Sequence, residues 1–429
     1  MTWIPATDAD ARAMLDAIGA ETVEDLFDVI PEPLRVSGMD LPEPMSEMAV
    51  ADHLERIAAA NDHRLTSFVG GGFYDHYVPA AVDALSGRSE FTTAYTPYQP
   101  ECAQGTLQGI YEYQSAICRL TDMDFANASL YDGGTAVFEA ATMAVRCTKR
   151  RRVVCHDSLN PIYRRMLETH IAHLDLELVD GDDPAEAACV IVQNPAFRGE
   201  VRRYDELAER CRAAGALLVV SFNPVSLGIL ATPGEMGADI AIAEGQPLGM
   251  PLQFGGPYLG ILATRKAYVR RMPGRIAGQT VDEAGRRGFV LTLQAREQHI
   301  RRKKAMSNIC SNEALCALRA LIHLCLLGPQ GLREVATHCH AKAEHLKRRL
   351  SEVVEVVTTE PAFNEFVIRL PKPAEAVVDA MARRGIAPGL PLAALDAGDD
   401  RELLVAVTER RTRSELDAYV DTLQEELCS

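Results

Sequence analysis

The sequence predicts an α/β protein: a mostly parallel sheet with helices on both faces, followed by a smaller α+β domain. Three observations carry that expectation. Short β-branched runs recur at 153–155, 176–179, 189–192, 217–222, 240–243 and 258–263. Amphipathic stretches separate several of them; in 204–214, Leu207, Ala208 and Cys211 fall on one helical face. An apolar helical stretch over 311–327 stops at Gly328-Pro329, and a second alternation of strand and helix begins beyond it. Strands that alternate with helices must return by crossovers, which makes the sheet parallel and covers both of its faces.

A chain of 429 residues is too long for one ordinary core, at roughly 100–200 residues per domain. We expect a helical arm over 1–60, a large α/β domain over 61–328 and a small α+β domain over 329–429. In the arm, Thr7 can cap a helix, and Thr22 with Asp25 resembles a capping box before Leu26, Phe27 and Ile30. The proline-rich 31–44 reads as a connector. Eleven carboxylates from Asp8 to Glu47 face only Arg12 and Arg35, which suits a solvated acidic surface or a protein-docking arm. In the small domain, strands are expected over 363–370 and 403–407, a helix over 374–384 and a terminal helix.

The net charge of −16 offers no electrostatic reason to bind nucleic acid or an anionic membrane, so small molecules and proteins are the expected partners. No N-terminal signal pattern and no run of about eighteen apolar residues stands out, and a cytoplasmic protein is expected. The eleven cysteines form no CxxC pair and no metal-ligand spacing, which fits a reducing compartment and no metal. On a helix, His338, Cys339 and His340 would diverge. Two basic runs stand out. The run 149–152 is explained by a helix end. The run 301–304 fits either a solvated face or an anion-attracting patch.

Four segments are richer in Gly, Tyr, Asn and Gln than a core requires. In 68–74, three glycines permit positive φ and close backbone approach, as a turn or a ligand wall would need. In 95–101, Tyr95, Thr96, Tyr98, Gln99 and Glu101 sit on a backbone stiffened by two prolines, which suits substrate orientation or an interface. Residues 131–136 (YDGGTA) open an apolar helix, where free N–H groups can hold an anion or simply be capped. Residues 244–249 with 253–257 join two strands at the sheet's expected active edge.

In this order the segments resemble the glycine cleavage system P-protein, alpha-subunit family, over nearly the whole chain. The most specific matches are YTPYQPE with Ala103-Gln104-Gly105, YDGGTA, SFNPVSLG (221–228), GQPLG, QFGGPYLG (253–260), and 296–302 (REQHIRR) running into Ser307-Asn308-Ile309-Cys310. The resemblance implies a type I pyridoxal-phosphate-dependent transferase fold, with a seven-stranded large domain and active sites between paired subunits. It implies glycine dehydrogenase (aminomethyl-transferring) activity: glycine is decarboxylated on pyridoxal phosphate, CO₂ leaves, and the aminomethyl group passes to the lipoyl arm of the H-protein.

An autonomous enzyme of that kind needs a lysine near the end of the strand at 240–243 and an acid on the preceding strand to hold the ring nitrogen protonated. The seven lysines are Lys149, Lys266, Lys303, Lys304, Lys342, Lys347 and Lys372, so none lies there. Asn223 stands where the acid is expected. The cofactor is therefore expected on a separate beta subunit, with pairing as (αβ)₂. This chain would form the opposite wall of the partner's site: Tyr95, Thr96, Tyr98, Gln99 and Glu101 towards glycine, and Ser307, Asn308 and Cys310 towards the partner's cofactor. Residues 132–135 would be a vestigial phosphate cradle. Two other readings stay open: an autonomous, cysteine-desulfurase-like pyridoxal-phosphate enzyme using Lys266, and a non-catalytic scaffold subunit.

Overall fold

The computed structural model describes residues 5–36, 38–61, 64–253 and 255–428. The chain forms two compact units, 1–63 and 64–429.

In the first unit, α1 (Asp8–Ile18) starts from a reciprocal capping box: the Asp10 N–H donates to Thr7 Oγ1 at 3.3 Å, and the Thr7 N–H to Asp10 Oδ2 at 2.8 Å. The Thr22–Asp25 box forms as well, but it heads a single 3₁₀ turn, Glu24–Phe27, and not an α-helix. Pro31 and Pro33, which lack an N–H, follow too soon for a helix to propagate. Helix α2 (Glu47–Ala59) is capped by Ser46.

The second unit is built on a seven-stranded sheet. Its strands are β1 (Phe125–Ala126), β2 (Arg152–Cys155), β3 (Glu177–Asp180), β4 (Ala187–Asn194), β5 (Leu217–Phe222), β6 (Ile240–Glu244) and β7 (Gly260–Thr264). They lie in the order β1-β7-β6-β5-β4-β2-β3. All neighbours are parallel except those of β7, which runs antiparallel to both β6 and β1. The central strands are buried along their whole length, as sheets covered on both faces require. Helices α3 (Gln104–Thr121), α4 (Gly133–Thr148), α5 (Pro161–Ile171) and α6 (Asp205–Ala214) supply the cover. Helix α4 is the centrepiece, with ten buried residues from Gly133 to Ala144 packed on the sheet's inner face.

The six expected strands are all present. The last begins at Gly260 and not at Tyr258, because the Tyr258 hydroxyl is bound into the preceding loop by the Gln253 backbone. Phe254 of the expected loop lies outside the described residues. A hairpin, β8 (Ile276–Val281) with β9 (Arg287–Thr292), was not foreseen; its outer half, Gln279, Thr280, Val281 and Arg287, is exposed and has no apolar run.

The long helix Ala314–Leu350 is broken at Gly328, whose φ of 60° and ψ of −176° are not helical, so the Gly-Pro stop acts as a break and helix resumes beyond it. This helix is apolar enough by composition to cross a membrane, but it buries Cys316, Ala317, Ala320, Leu321 and His323 and reads as a packed element of the fold. A four-stranded antiparallel sheet follows, with Glu365–Arg369 paired to Glu402–Ala406 at its centre. Helices Ala374–Arg383 and Arg413–Cys428 pack on it around a core of its own that includes Phe366, Val405 and Tyr419.

Candidate active-site surface

The carboxyl ends of the parallel strands, where ligands bind in such sheets, meet the segment 70–74 and the start of the second sheet. A cavity of about 30 Å³ lies there, lined by Gly72, Tyr74, Asn160, Tyr163, Asn223, Glu244, Asn364 and Glu365 among others. It has room for a water or two and not for a pyridine ring. Positive φ at Gly71 (81°) and Gly72 (115°) lets the backbone turn over it.

The chain's own carboxylate occupies the anion position at the N-terminus of α4. Glu244, at the end of β6, accepts the Gly133 N–H at 2.9 Å, the Gln246 N–H at 2.8 Å and the Leu259 N–H at 3.1 Å. Asp132 caps the same helix by accepting the Thr135 N–H at 2.7 Å. A side chain at position 133 would collide with Tyr163 Oη at 2.5 Å and Glu244 Cβ at 2.9 Å. Burial pushes the Glu244 carboxyl up to about 7 against the pull of its three N–H donors. Beside it, Glu365 accepts the Tyr74 hydroxyl at 2.5 Å and the Gly71 N–H at 2.7 Å, and burial raises it likewise to about 7.

These residues do not fit pyridoxal phosphate. The N–H groups opening α4 are already served by Glu244 and Asp132, the end of β6 carries no amine, and the Asn223 amide accepts the Val225 N–H through Oδ1 while its Nδ2 is buried without a partner. Lys266 is on the wrong side. Because β7 is antiparallel, Thr264 pairs with Ile240, so the residues after it lie at the amino edge of the parallel strands. There Lys266 is exposed and opens a 3₁₀ turn.

The two segments singled out for a partner's site are joined through Arg275. Its guanidinium donates from Nη2 to Tyr98 Oη at 3.2 Å and lies over the Tyr98 ring at 5.6 Å. Its Nε is 3.5 Å from Glu297, and Glu297 also pairs with His299 at 3.7 Å. The His299 ring meets Tyr98 edge-on at 5.3 Å, which closes the cluster. Arg275 lines one cleft together with Arg296, Ser307, Cys310 and Ser311.

Within the strap, Tyr95 is 80% exposed, and Gln99 and Glu101 are exposed as well. The Thr96 hydroxyl is buried without a partner, and Pro97 is buried as an anchor. Ser307 Oγ donates to Glu139 at 2.9 Å and accepts the Ile309 N–H at 3.0 Å, while Asn308 is exposed. The Cys310 N–H donates to Tyr131 Oη at 3.2 Å, tying that loop to the YDGGTA segment. Sequence reasoning missed Arg275 and Glu365 as polar centres, while Tyr74 lies at the end of the segment 68–74 that was singled out. A lone arginine after Pro-Gly carries no local signal. Glu297 and His299, by contrast, lie inside a motif that was noted.

The family model for the glycine cleavage system P-protein matches residues 1–423. A probable glycine dehydrogenase (decarboxylating) subunit 1 of Maridesulfovibrio salexigens is 52% identical, with 99% of each chain covered. One of the same name from Citrifermentans bemidjiense is 51% identical over the whole of both chains. A crystal structure of glycine decarboxylase (P-protein) of the glycine cleavage system, in inhibitor-bound form, superposes with a TM-score of 0.92 at 44% identity, covering 99% of this chain and 100% of that one. The apo cysteine desulfurase of Thermococcus onnurineus, at 13% identity and a TM-score of 0.63 over 90% of this chain and 100% of that one, shares the fold.

Proposed function

The chain belongs to the glycine cleavage system P-protein family, and from that premise we propose that it is the cofactor-free subunit of a two-chain glycine decarboxylase. A beta subunit would carry pyridoxal phosphate, and the pair, as (αβ)₂ in the cytoplasm, would decarboxylate glycine and hand the aminomethyl group to the lipoyl arm of the H-protein. The observation that carries this reading is that Glu244 occupies the anion cradle of a cavity too small for the cofactor. Meanwhile Tyr95, Gln99 and Glu101 project outward from a strap anchored on Arg275, as residues serving a site on another chain would.

Pyridoxal phosphate, when bound, supplies an electron sink for the departing CO₂. This chain's residues would orient glycine and exclude water: Tyr95, Thr96, Tyr98, Gln99 and Glu101 on one side of the partner's site, Ser307, Asn308 and Cys310 on the other. Preorganised polar groups on a stiff backbone favour one substrate pose.

Two measurements test the reading. The isolated chain, incubated with pyridoxal phosphate and reduced with borohydride, should take up no label; incorporation at Lys266 would restore the autonomous alternative. In the reconstituted pair, Tyr95→Phe and Glu101→Gln should assemble normally and slow glycine–bicarbonate exchange. Unchanged exchange would leave the chain a scaffold.

A further inference from the structure

The cleft beside the strap holds more buried positive charge than its neighbours use. Arg275 is 3% exposed, and its Nε, 3.5 Å from Glu297 Oε2, makes an ion pair with it but no hydrogen bond. Arg296 donates from Nη1 to the Met272 carbonyl, while its Nε and Nη2 are buried without acceptors. Among the described residues lining the cleft, Glu297, 9% exposed, is the one acidic group. It pairs with Arg275 at 3.5 Å, and its single charge does not balance two guanidiniums even though its Oε1 is itself buried without a partner. From Gln298 to Asn312 there is no acidic residue, whereas Arg301, Arg302, Lys303 and Lys304 stand exposed nearby. Buried guanidinium N–H groups without acceptors are rare in folded proteins, and their usual explanation is a missing oxygen. The cleft offers about 10 Å³, space for a single oxygen-sized atom and not for a whole ligand. Serines 307 and 311 and the Cys310 loop complete its rim.

We infer that Arg275 and Arg296 form an oxyanion subsite that takes one corner of a carboxylate or phosphate belonging to the partner's active site. The inference rests on the proposed subunit role, and it adds two residues to the site. Arginine suits the task because its fixed fork of donors matches either anion, where a lysine would offer only a point charge. Two oxyanions belong to the proposed reaction: the phosphate of the partner's cofactor and the carboxylate of glycine. Arg275 also holds Tyr98, so occupancy of the subsite and the pose of the strap are coupled through one guanidinium.

The full chain alone tests whether the subsite exists. Inorganic phosphate or acetate, titrated at constant ionic strength against chloride, should raise the unfolding temperature saturably, and Arg296→Gln and Arg275→Gln should each abolish the rise. No anion-specific rise, or one that both variants retain, overturns the proposal. The reconstituted pair then identifies the oxyanion. If it is the glycine carboxylate, Arg296→Gln raises the glycine KM about tenfold and leaves cofactor retention on dialysis unchanged. If it is the cofactor phosphate, retention falls about tenfold and the KM holds. A pair that assembles and changes in neither respect refutes the assignment. Should Arg296→Gln fail to assemble, Arg296→Lys, which keeps the charge and loses the fork, is read in the same two assays. A wild-type pair inactive towards glycine would sink the proposed function, while the anion response of the isolated chain would still stand or fall by itself.

Discussion

Replacing Glu244 by glutamine gives the sharpest reading of the cavity at the strand ends. The amide oxygen can keep the Gln246 and Leu259 N–H groups, but its NH₂ then confronts the Gly133 N–H that the carboxylate accepts at 2.9 Å. One hydrogen bond is lost and two donors face each other in a buried place, at a cost of about 1–3 kcal/mol. The carboxyl also carries a pH dependence that the amide lacks. Burial raises it in the folded chain from its ordinary 4.5 to about 7. Between those values the folded state holds a proton that the unfolded state has released. The contribution is therefore complete below pH 4.5 and is lost as the pH climbs through 7, by about 3 kcal/mol in all. Glutamine has no such loss. The variant should be clearly less stable than the wild type at pH 5 and close to it, or above it, at pH 8. Urea unfolding followed by circular dichroism at pH 5, 6, 7 and 8 measures the difference. Glu365, raised to about 7 in both proteins, largely cancels. A deficit that stays constant or grows with pH would mean that the three N–H groups keep Glu244 ionised, and the reasoning fails.

Other substitutions probe the neighbouring contacts. Tyr98→Phe keeps the edge-on contact with His299 but loses the 3.2 Å bond from Arg275; stability should change by less than about 1 kcal/mol, while turnover of the reconstituted pair falls about tenfold, and unaltered kinetics would remove Arg275 from the strap's anchoring. Gly133→Ala should cost about 1–3 kcal/mol in urea unfolding, because its Cβ meets Tyr163 and Glu244 closer than van der Waals contact. Gly199→Ala should cost more, since its Cβ would lie 2.1 Å from the Glu365 carbonyl at a φ of +103°. Glu409 is held at about 2 because its bond to His76 at 2.6 Å and the Tyr77 N–H at 2.7 Å outweigh burial. Its contribution is present above pH 4.5 and fades towards pH 2, so Glu409→Gln should destabilise the chain at pH 7 and lose that effect as the pH falls through this window.

The large sheet was legible because strands buried on both faces are written as near-continuous apolar, often β-branched runs, and β4 to β7 are written so apart from Gln193, Asn194, Ser221, Glu244 and Thr264 at or near their carboxyl ends. The hairpin β8–β9 was not, because Gln279 to Val281 and Arg287 are exposed and polar residues there obey no packing rule. The same division runs through the site. The strap at 95–101 stands out in the sequence because seven adjacent residues share its polar, proline-stiffened character. Arg275 does not: its contact with Tyr98 spans 177 positions, and neither residue predicts the other.

The YDGGTA segment shows how far a motif can go. YDGGTA correctly announced a helix N-terminus with N–H groups to satisfy, and its glycine is as tightly confined as an anion site would need. The motif specifies a receptor for negative charge and leaves the donor of that charge open. Here the donor is Glu244, brought to the cradle from 111 residues away by the β6 strand on which it rides. A chain that answers its own anion site has no electrostatic need of a phosphate there. Buried guanidinium N–H groups without hydrogen-bond acceptors line the cleft at Arg275 and Arg296 beside the strap, and that is where the inferred oxyanion subsite lies.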